Sequence, residues 1–166
     1  MTQIAKSLFT GVVRHQQRYY AVTDQATVHV YEQTNEWKQH HSYSIKGSKN
    51  QIITLGITKK LLYVSFALEH RIDIFSLEGK LKSSTGKKGH GAAGELSAPR
   101  ICTTDDADNV LIADRSNNRL QNLNAIRQWS FVSLQPPVES PSCACLESDT
   151  LYVNENEKKL LHAYRK

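Results

Sequence analysis

The sequence contains little cysteine, proline or methionine, and it has no long hydrophobic run. Three cysteines, four prolines and one methionine occur in 166 residues. Three cysteines cannot form a complete set of disulfides, so we expect a reduced, cytoplasmic protein. No stretch approaches the roughly 18 consecutive apolar residues of a membrane-spanning helix, and the first six residues lack the apolar core of a signal peptide. A membrane-spanning role is therefore not expected.

The composition is that of a single folded domain with unevenly placed charge. Hydrophobic residues make up 39% and charged residues 22% of the chain, which excludes intrinsic disorder. Residues 1–100 carry 14 Lys/Arg and 7 Asp/Glu, a net charge of +7, whereas residues 101–166 carry 7 and 9, a net charge of −2. The basic part favours an acidic partner such as RNA or an acidic protein, although a solvated surface is the simpler explanation.

A large apolar residue recurs at intervals of 44, 48 and 41 residues. The four positions are Tyr31, Phe75, Leu123 and Tyr164. Each ends a short segment typical of a strand, and two further segments of this kind precede it. Six residues after each of the first three stands another large apolar residue: Trp37, Leu81 and Trp129. Four short strands in a repeat of this length predict an all-β protein built from β-propeller blades.

The predicted blades are residues 8–46, 50–88, 97–135 and 140–166, all in one domain. The chain stops two residues after Tyr164, so the fourth blade lacks an outer strand and about 3.75 blades are present. Three explanations stay open: a piece of a longer protein, a homodimer that closes the ring, or a small ring closed by residues 3–7. The first is favoured because open blade faces and edges are liabilities.

Two neighbouring segments carry a family resemblance. Residues 91–99 form a glycine-rich lead that ends in Pro99, and residues 109–121 form a strand ending in Ala-Asp, followed by Asn-Asn-Arg-Leu-Gln. Together they resemble an NHL repeat, although only this blade of about 35 residues matches strongly. Asp108 replaces the usual turn glycine, which aspartate tolerates at positive φ, and Leu123 replaces the usual aromatic anchor.

The resemblance extends to the C-terminal propellers of tripartite-motif ubiquitin ligases. It implies a binding module for a protein or peptide, with RNA binding through a basic face as the alternative. Ligase activity would require a RING segment, which this chain does not contain. Propeller enzymes of six blades carry metal ligands on inner strands, where this chain offers mostly Val, Ile, Thr and Cys. We therefore expect no catalytic residue, no metal, no cofactor and no membrane partner.

Eleven residues are candidates for binding. Most lie between the two middle strands of successive blades, where equivalent loops place basic and amide side chains at one end of the sheets. These are His70, Arg71, Arg115, Asn117, Asn118, Arg119, Lys158 and Lys159. A structural role within each blade is the competing hypothesis, above all for Arg119, which the family pattern pairs with Asp114.

A glycine-rich stretch supplies the other three candidates. Residues 89–94 fit the G-x-G-x-x-G pattern, but Pro99 follows too soon for the helix that a dinucleotide site needs. Lys87, Lys88 and His90 beside these glycines remain candidates for binding an anion. By contrast, Cys143 and Cys145 alternate along one strand and are predicted to pack in the core.

Overall fold

A computed structural model of the chain describes residues 8–49 and 51–165. These residues form four antiparallel sheets that follow one another along the chain. The ring closure by residues 3–7 that the sequence left open lies outside the described residues. Within the described ranges there is no α-helix, only a 3-10 turn at Arg115–Asn117. No helix in this part of the chain has the length and apolar character needed to cross a membrane.

Each sheet is one blade, and its strands are adjacent in chain order. Blade 1 contains β1 (Phe9–His15), β2 (Arg18–Thr23), β3 (Thr27–Gln33) and β4 (Trp37–Ser44). Blade 2 contains β5 (Ile53–Ile57), β6 (Leu61–Phe66), β7 (Arg71–Ser76) and β8 (Leu81–Thr85). The linker to blade 3 includes the short parallel pair β9 (Lys87–Lys88) and β10 (Glu95–Leu96).

The third blade is complete and the fourth has three described strands. Blade 3 contains β11 (Pro99–Thr104), β12 (Val110–Asp114), β13 (Arg119–Leu123) and β14 (Trp129–Val132). Blade 4 contains β15 (Pro141–Glu147), β16 (Thr150–Glu155) and β17 (Leu160–Arg165). The predicted fold class, a partial propeller with blades of four antiparallel strands, is confirmed.

Apolar clusters between successive blades hold the fold together. Val28 of blade 1 and Leu55 of blade 2 share the first cluster, and Ile72 and Ile101 share the second. The third cluster joins blades 3 and 4 through residues that include Leu120 and Ala144. In each case side chains of one sheet face fill the space against the next sheet, because a lone four-stranded sheet cannot bury both of its faces.

The inner strands line up in blade order. β1 packs on β5, β5 on β11, and β11 on β15. Among the described residues, β15 and β1 form no comparable contact, so the four blades form an open arc. One face of blade 1 and one face of blade 4 are therefore not covered by a neighbouring blade of the described chain.

Two local predictions have different outcomes. Asp108 has a φ of 61°, as expected for aspartate in place of a turn glycine. The prediction that Cys143 and Cys145 pack in the core is wrong, because both are exposed free cysteines. They point to the face of blade 4 that no described blade covers, since Cys143 and Cys145 pair with Asn154 and Tyr152 rather than with the buried Val153.

Candidate functional site

The topology brings the eleven candidate residues to one end of the sheets. In an antiparallel blade, the turn between the second and third strands lies at the same end as the linker to the next blade. We call this end the loop end. It contains the β6–β7, β12–β13 and β16–β17 turns together with the described residues of the linkers at 45–49, 51–52, 86–98 and 133–140.

Asp114 and Arg119 form the most extensive network at the loop end. The Arg119 Nε donates to the Asp114 carboxylate at 2.8 Å, and its guanidinium also donates to the backbone oxygens of His90 and Glu95 at 3.0 and 2.9 Å. Asp114 is fully buried and also accepts hydrogen bonds from the Asn117 and Gln121 amides at 2.8 and 2.9 Å. Arg119 therefore ties the linker before blade 3 to the blade itself.

Arg71 occupies the corresponding position in blade 2. Its guanidinium donates to both carboxylate oxygens of Asp73, at 2.9 and 3.0 Å, pairs with Glu69, and donates to the Lys46 backbone oxygen in the preceding linker. The guanidinium carbon also lies 4.3 Å from the centre of the Phe66 ring. The sequence did not identify these partners, apart from the general expectation that the loop arginines bond within their own blades.

Ion pairs also join blade 4 to blade 3 and to the linker between them. Arg115 donates to Glu157 at 2.9 Å, and Lys158 lies 2.9 Å from Glu139. The hydrogen bond with Glu139 raises the pKa of Lys158. The Glu155 carboxylate accepts a hydrogen bond from the Glu139 backbone, which lowers the pKa of Glu155. Each of these cations is offset by a nearby carboxylate.

The remaining candidates are a mixture of paired and unpaired groups. Lys87 lies 3.3 Å from Glu95, His70 Nδ1 accepts from the Ala98 amide at 3.2 Å, and Asn118 accepts from the Ser140 amide at 2.8 Å. Burial lowers the pKa of His70. Within residues 8–49 and 51–165, Lys88 and Lys159 have no carboxylate at ion-pair distance, and His90 is exposed. The loop end is therefore a surface of mixed charge.

Glu95 provides a test of how the loop end is stabilised. Its carboxylate accepts hydrogen bonds from the Ala92 and Gly91 amides at 3.0 and 2.9 Å, and with Lys87 these contacts lower the pKa of Glu95 to about 2. The folded-state pKa is below the ordinary value of 4.5, so the stabilisation is complete above pH 4.5 and is lost as the pH falls towards 2.

We therefore expect Glu95→Gln to lower the melting temperature at pH 7 and to flatten its fall between pH 4.5 and 2. The measurement is a series of thermal unfolding curves over this pH range. Glu36→Gln, on an exposed turn of blade 1, is the matched control and should retain the wild-type pH dependence. An unchanged acid slope in Glu95→Gln would contradict this role of the carboxylate.

A groove between blades 3 and 4 is a second candidate site, and the sequence did not identify it. Its volume is about 520 Å³. Its apolar lining includes Leu111, Val132, Leu134, Leu146, Leu151 and Tyr164. Polar groups at the rim include Thr103, Asn109, Asn122 and Ser130. Apolar walls with a few polar groups are typical of a ligand site.

The groove lies beside the free outer edge of β17. In blades 1 to 3 an outer strand pairs with the third strand, but among the described residues none pairs with this edge of β17. Blade 3 shows how an outer strand packs, because its Trp129 donates to Thr85 of blade 2 at 3.0 Å. Val132 occupies the position in blade 3 that Thr85 occupies in blade 2, and it lines the groove. A fourth strand of blade 4 would therefore place its large apolar residue, the counterpart of Trp129, in this groove.

No protein-family model matches the chain, and no curated protein matches it. Solved structures do. A streptogramin B lyase aligns with a TM-score of 0.70 at 13% identity, over 99% of this chain and 57% of that chain. A protein of unknown function from Bacteroides thetaiotaomicron aligns with a TM-score of 0.80 at 15% identity, over 95% and 47%.

A third similar structure is the β-propeller domain of Cps50 (Swd1) from Myceliophteria thermophila. It aligns with a TM-score of 0.67 at 16% identity, over 96% of this chain and 54% of that chain. The chain thus spans about half the length of these three structures. The similarity is one of fold, and it confirms the propeller that the repeats predicted without extending to the tripartite-motif group.

One prediction from the sequence requires correction. The scarcity of metal ligands on the inner strands predicts that the chain is not an enzyme. That prediction is wrong, because the structures that share this fold include a lyase. Within the described ranges no group of three or more His, Cys, Asp or Glu residues is placed to hold a metal ion. The fold itself is compatible with catalysis, and function has to be argued from the site.

Proposed function

We propose that this chain binds an extended peptide segment of a partner protein as a fourth strand of blade 4. The observation that carries the proposal is the free outer edge of β17 beside the apolar groove. Unpaired backbone groups on a sheet edge bind an added strand by main-chain hydrogen bonds, while a neighbouring pocket selects its side chains. Target recognition of this kind is also what the resemblance to tripartite-motif propellers implies.

The groove favours a peptide with one large apolar or aromatic anchor. Leu146 is 39% exposed at its wall, and Leu134 and Tyr164 extend the apolar surface towards β17. Burying such side chains under a ligand contributes roughly 25 cal/mol per Å² of apolar area removed from water. The polar rim, including Asn122 and Ser130, would position the backbone and polar side chains of the peptide.

The charges of the loop end favour protein binding over the RNA alternative. Affinity for a phosphate backbone comes from cations that release counterions. At the loop end, Arg71, Arg115, Arg119 and Lys158 are already paired with carboxylates. Among the described residues of the loop end, Lys46, Lys49, Lys88 and Lys159 lack such partners, so four lysines rather than the whole set of cations are free to contact phosphates.

The first probe is a fluorescent peptide with the sequence of residues 127–134, which includes the outer strand of blade 3. We expect it to bind with a dissociation constant on the order of 10 µM, measured by fluorescence polarisation. The same peptide with alanine in place of Trp129 should bind at least about tenfold more weakly, since the groove selects the anchor. N-methylation of the peptide backbone should have a similar effect, because it removes the hydrogen bonds of an added strand.

Ser130→Trp in the protein is designed to fill the groove without touching the core, since Ser130 is exposed. It should abolish binding of the peptide. Ser42→Trp, on the exposed outer strand of blade 1, is the matched control and should bind like wild type. Absence of binding to wild type at 1 mM peptide, or equal binding by both tryptophan variants, would refute the proposal. Tight binding of a single-stranded RNA that weakens steeply with salt would support the alternative instead.

A further inference from the structure

We infer that the uncovered face of blade 4 binds the uncovered face of blade 1 in a second copy of this chain, so that two chains close a ring of eight blades. This inference is independent of the peptide proposal, because it uses the opposite face of blade 4. The evidence for it is one residue on each end face, Leu161 and Val12, compared with the residues at the equivalent positions of the other blades.

Leu161 marks the free face of blade 4. Its partner in the sheet is Asn154, and the equivalent residues of the other blades are Val28, Ile72 and Leu120. These three are completely buried against the next blade, whereas Leu161 is 68% exposed. The repeat therefore places at Leu161 a side chain suited to an interface between blades, and no described blade covers it.

Val12 marks the free face of blade 1 in the same way. It pairs with Ala21, and the equivalent residues on the other inner strands are Leu55, Ile101 and Ala144. Those three are 5%, 5% and 6% exposed against the preceding blade, whereas Val12 is 64% exposed. The two ends of the arc thus carry the two halves of one type of interface.

The contacts within the chain show which residues these halves would bring together. Val28 shares a cluster with Leu55, Ile72 with Ile101, and Leu120 with Ala144. Each pair joins an equivalent of Leu161 to an equivalent of Val12. Continuing the repeat across two chains places Leu161 of one copy in the same cluster as Val12 of the other.

The free face of blade 4 has the chemistry of an interface. Two of the three cross-strand rows on it consist of uncharged side chains, and the third row, Glu147, Thr150 and Arg165, carries one charge of each sign. The uncharged rows are Cys143, Asn154 and Leu161, then Cys145, Tyr152 and Ala163. An exposed surface of this kind marks an association site in a soluble protein.

The number of blades in the arc favours a second copy of the chain as the partner that covers the two free faces. Four blades are half of an eight-bladed ring. A copy related by a two-fold axis along the ring would cover both free faces of the described blades at once. The resulting eight blades are within the usual range for propellers, and a head-to-tail contact that closes is stable against further growth.

The test is the mass of the full chain by light scattering at about 50 µM. We expect twice 18.8 kDa, or 37.6 kDa, for wild type. Leu161→Asp should give 18.8 kDa, because a charge at a covered apolar position disrupts the contact. Leu68→Asp is the matched control, since Leu68 is 66% exposed on the β6–β7 turn, and it should remain a dimer.

A mixing experiment identifies which faces meet. Val12→Asp should also be monomeric, and mixing it with Leu161→Asp should restore a 37.6 kDa species, because one of the two contacts then involves only wild-type faces. Circular dichroism shows whether each variant is folded. The inference is overturned by a wild-type mass of 18.8 kDa, by a mass that grows beyond 37.6 kDa, or by folded variants that stay dimeric. Failure of mixing to restore the dimer would also overturn it.

Discussion

Asp114→Ala is expected to lower the free energy of unfolding by about 3–5 kcal/mol, the cost of removing one partner from a buried ion pair. Asp114 is fully buried and accepts from Ser97, Asn117, Arg119 and Gln121 at 2.6 to 2.9 Å. Its removal leaves the Arg119 charge and the buried Gln121 amide without this acceptor. A loss of this size is a large part of the stability of a typical domain, so the variant will be close to unfolding at 25 °C.

Urea unfolding followed by circular dichroism measures the loss for Asp114→Ala. Asp106→Ala is the matched control: Asp106 is exposed on the β11–β12 turn, and substitutions at such sites stay within about 0.5 kcal/mol. Arg119→Ala should be destabilised by a similar amount to Asp114→Ala, because it leaves the buried carboxylate unpaired. A loss below about 1 kcal/mol in Asp114→Ala would contradict a structural role and revive Arg119 as a free binding residue.

Phe66→Ala is expected to cost about 3–5 kcal/mol, the usual range for a buried phenylalanine in a core. Phe66 is completely buried in the cluster between blades 1 and 2. Its ring lies against Gly47, where a side chain would have no room, and under the Arg71 guanidinium. The substitution therefore removes core volume and the platform that holds Arg71 in place.

The same urea experiment measures Phe66→Ala, with Leu68→Ala as its control. Leu68 stands two residues away but is 66% exposed, so its truncation should change the free energy of unfolding by less than about 0.5 kcal/mol. Equal effects of the two substitutions would show that the cluster between blades 1 and 2 is not a packed core.

The repeat was predictable from the sequence because its signals are local. Anchors such as Tyr31 and Phe75 lie near the ends of the third strands, and Trp37 and Trp129 begin outer strands, at the spacings that the sequence displays. The pairing of Asp114 with Arg119 was predictable for the same reason, because the two residues are five positions apart across one turn. Short-range patterns of this kind determine a blade almost independently of the rest of the chain.

Contacts between distant residues could not be predicted in this way. Glu157 is 42 residues from Arg115, and no local sequence pattern predicts that its carboxylate pairs with the Arg115 guanidinium. Cys143 and Cys145 occupy inner-strand positions that would be buried in a closed ring, so the error about their burial follows from the open end of the arc. The apolar groove also depends on two blades meeting, although the prediction of three strands in the fourth blade pointed to this edge.

Hydrogen exchange of the β17 amides, followed by NMR, tests the central claim most directly. In an antiparallel sheet only every second amide of an edge strand is bonded inward. We predict fast exchange at alternate residues of Leu160–Arg165 in the free protein and their protection when the 127–134 peptide is added. Slow exchange at all β17 amides in the free protein, or no protection by the peptide, would contradict an open strand site on blade 4.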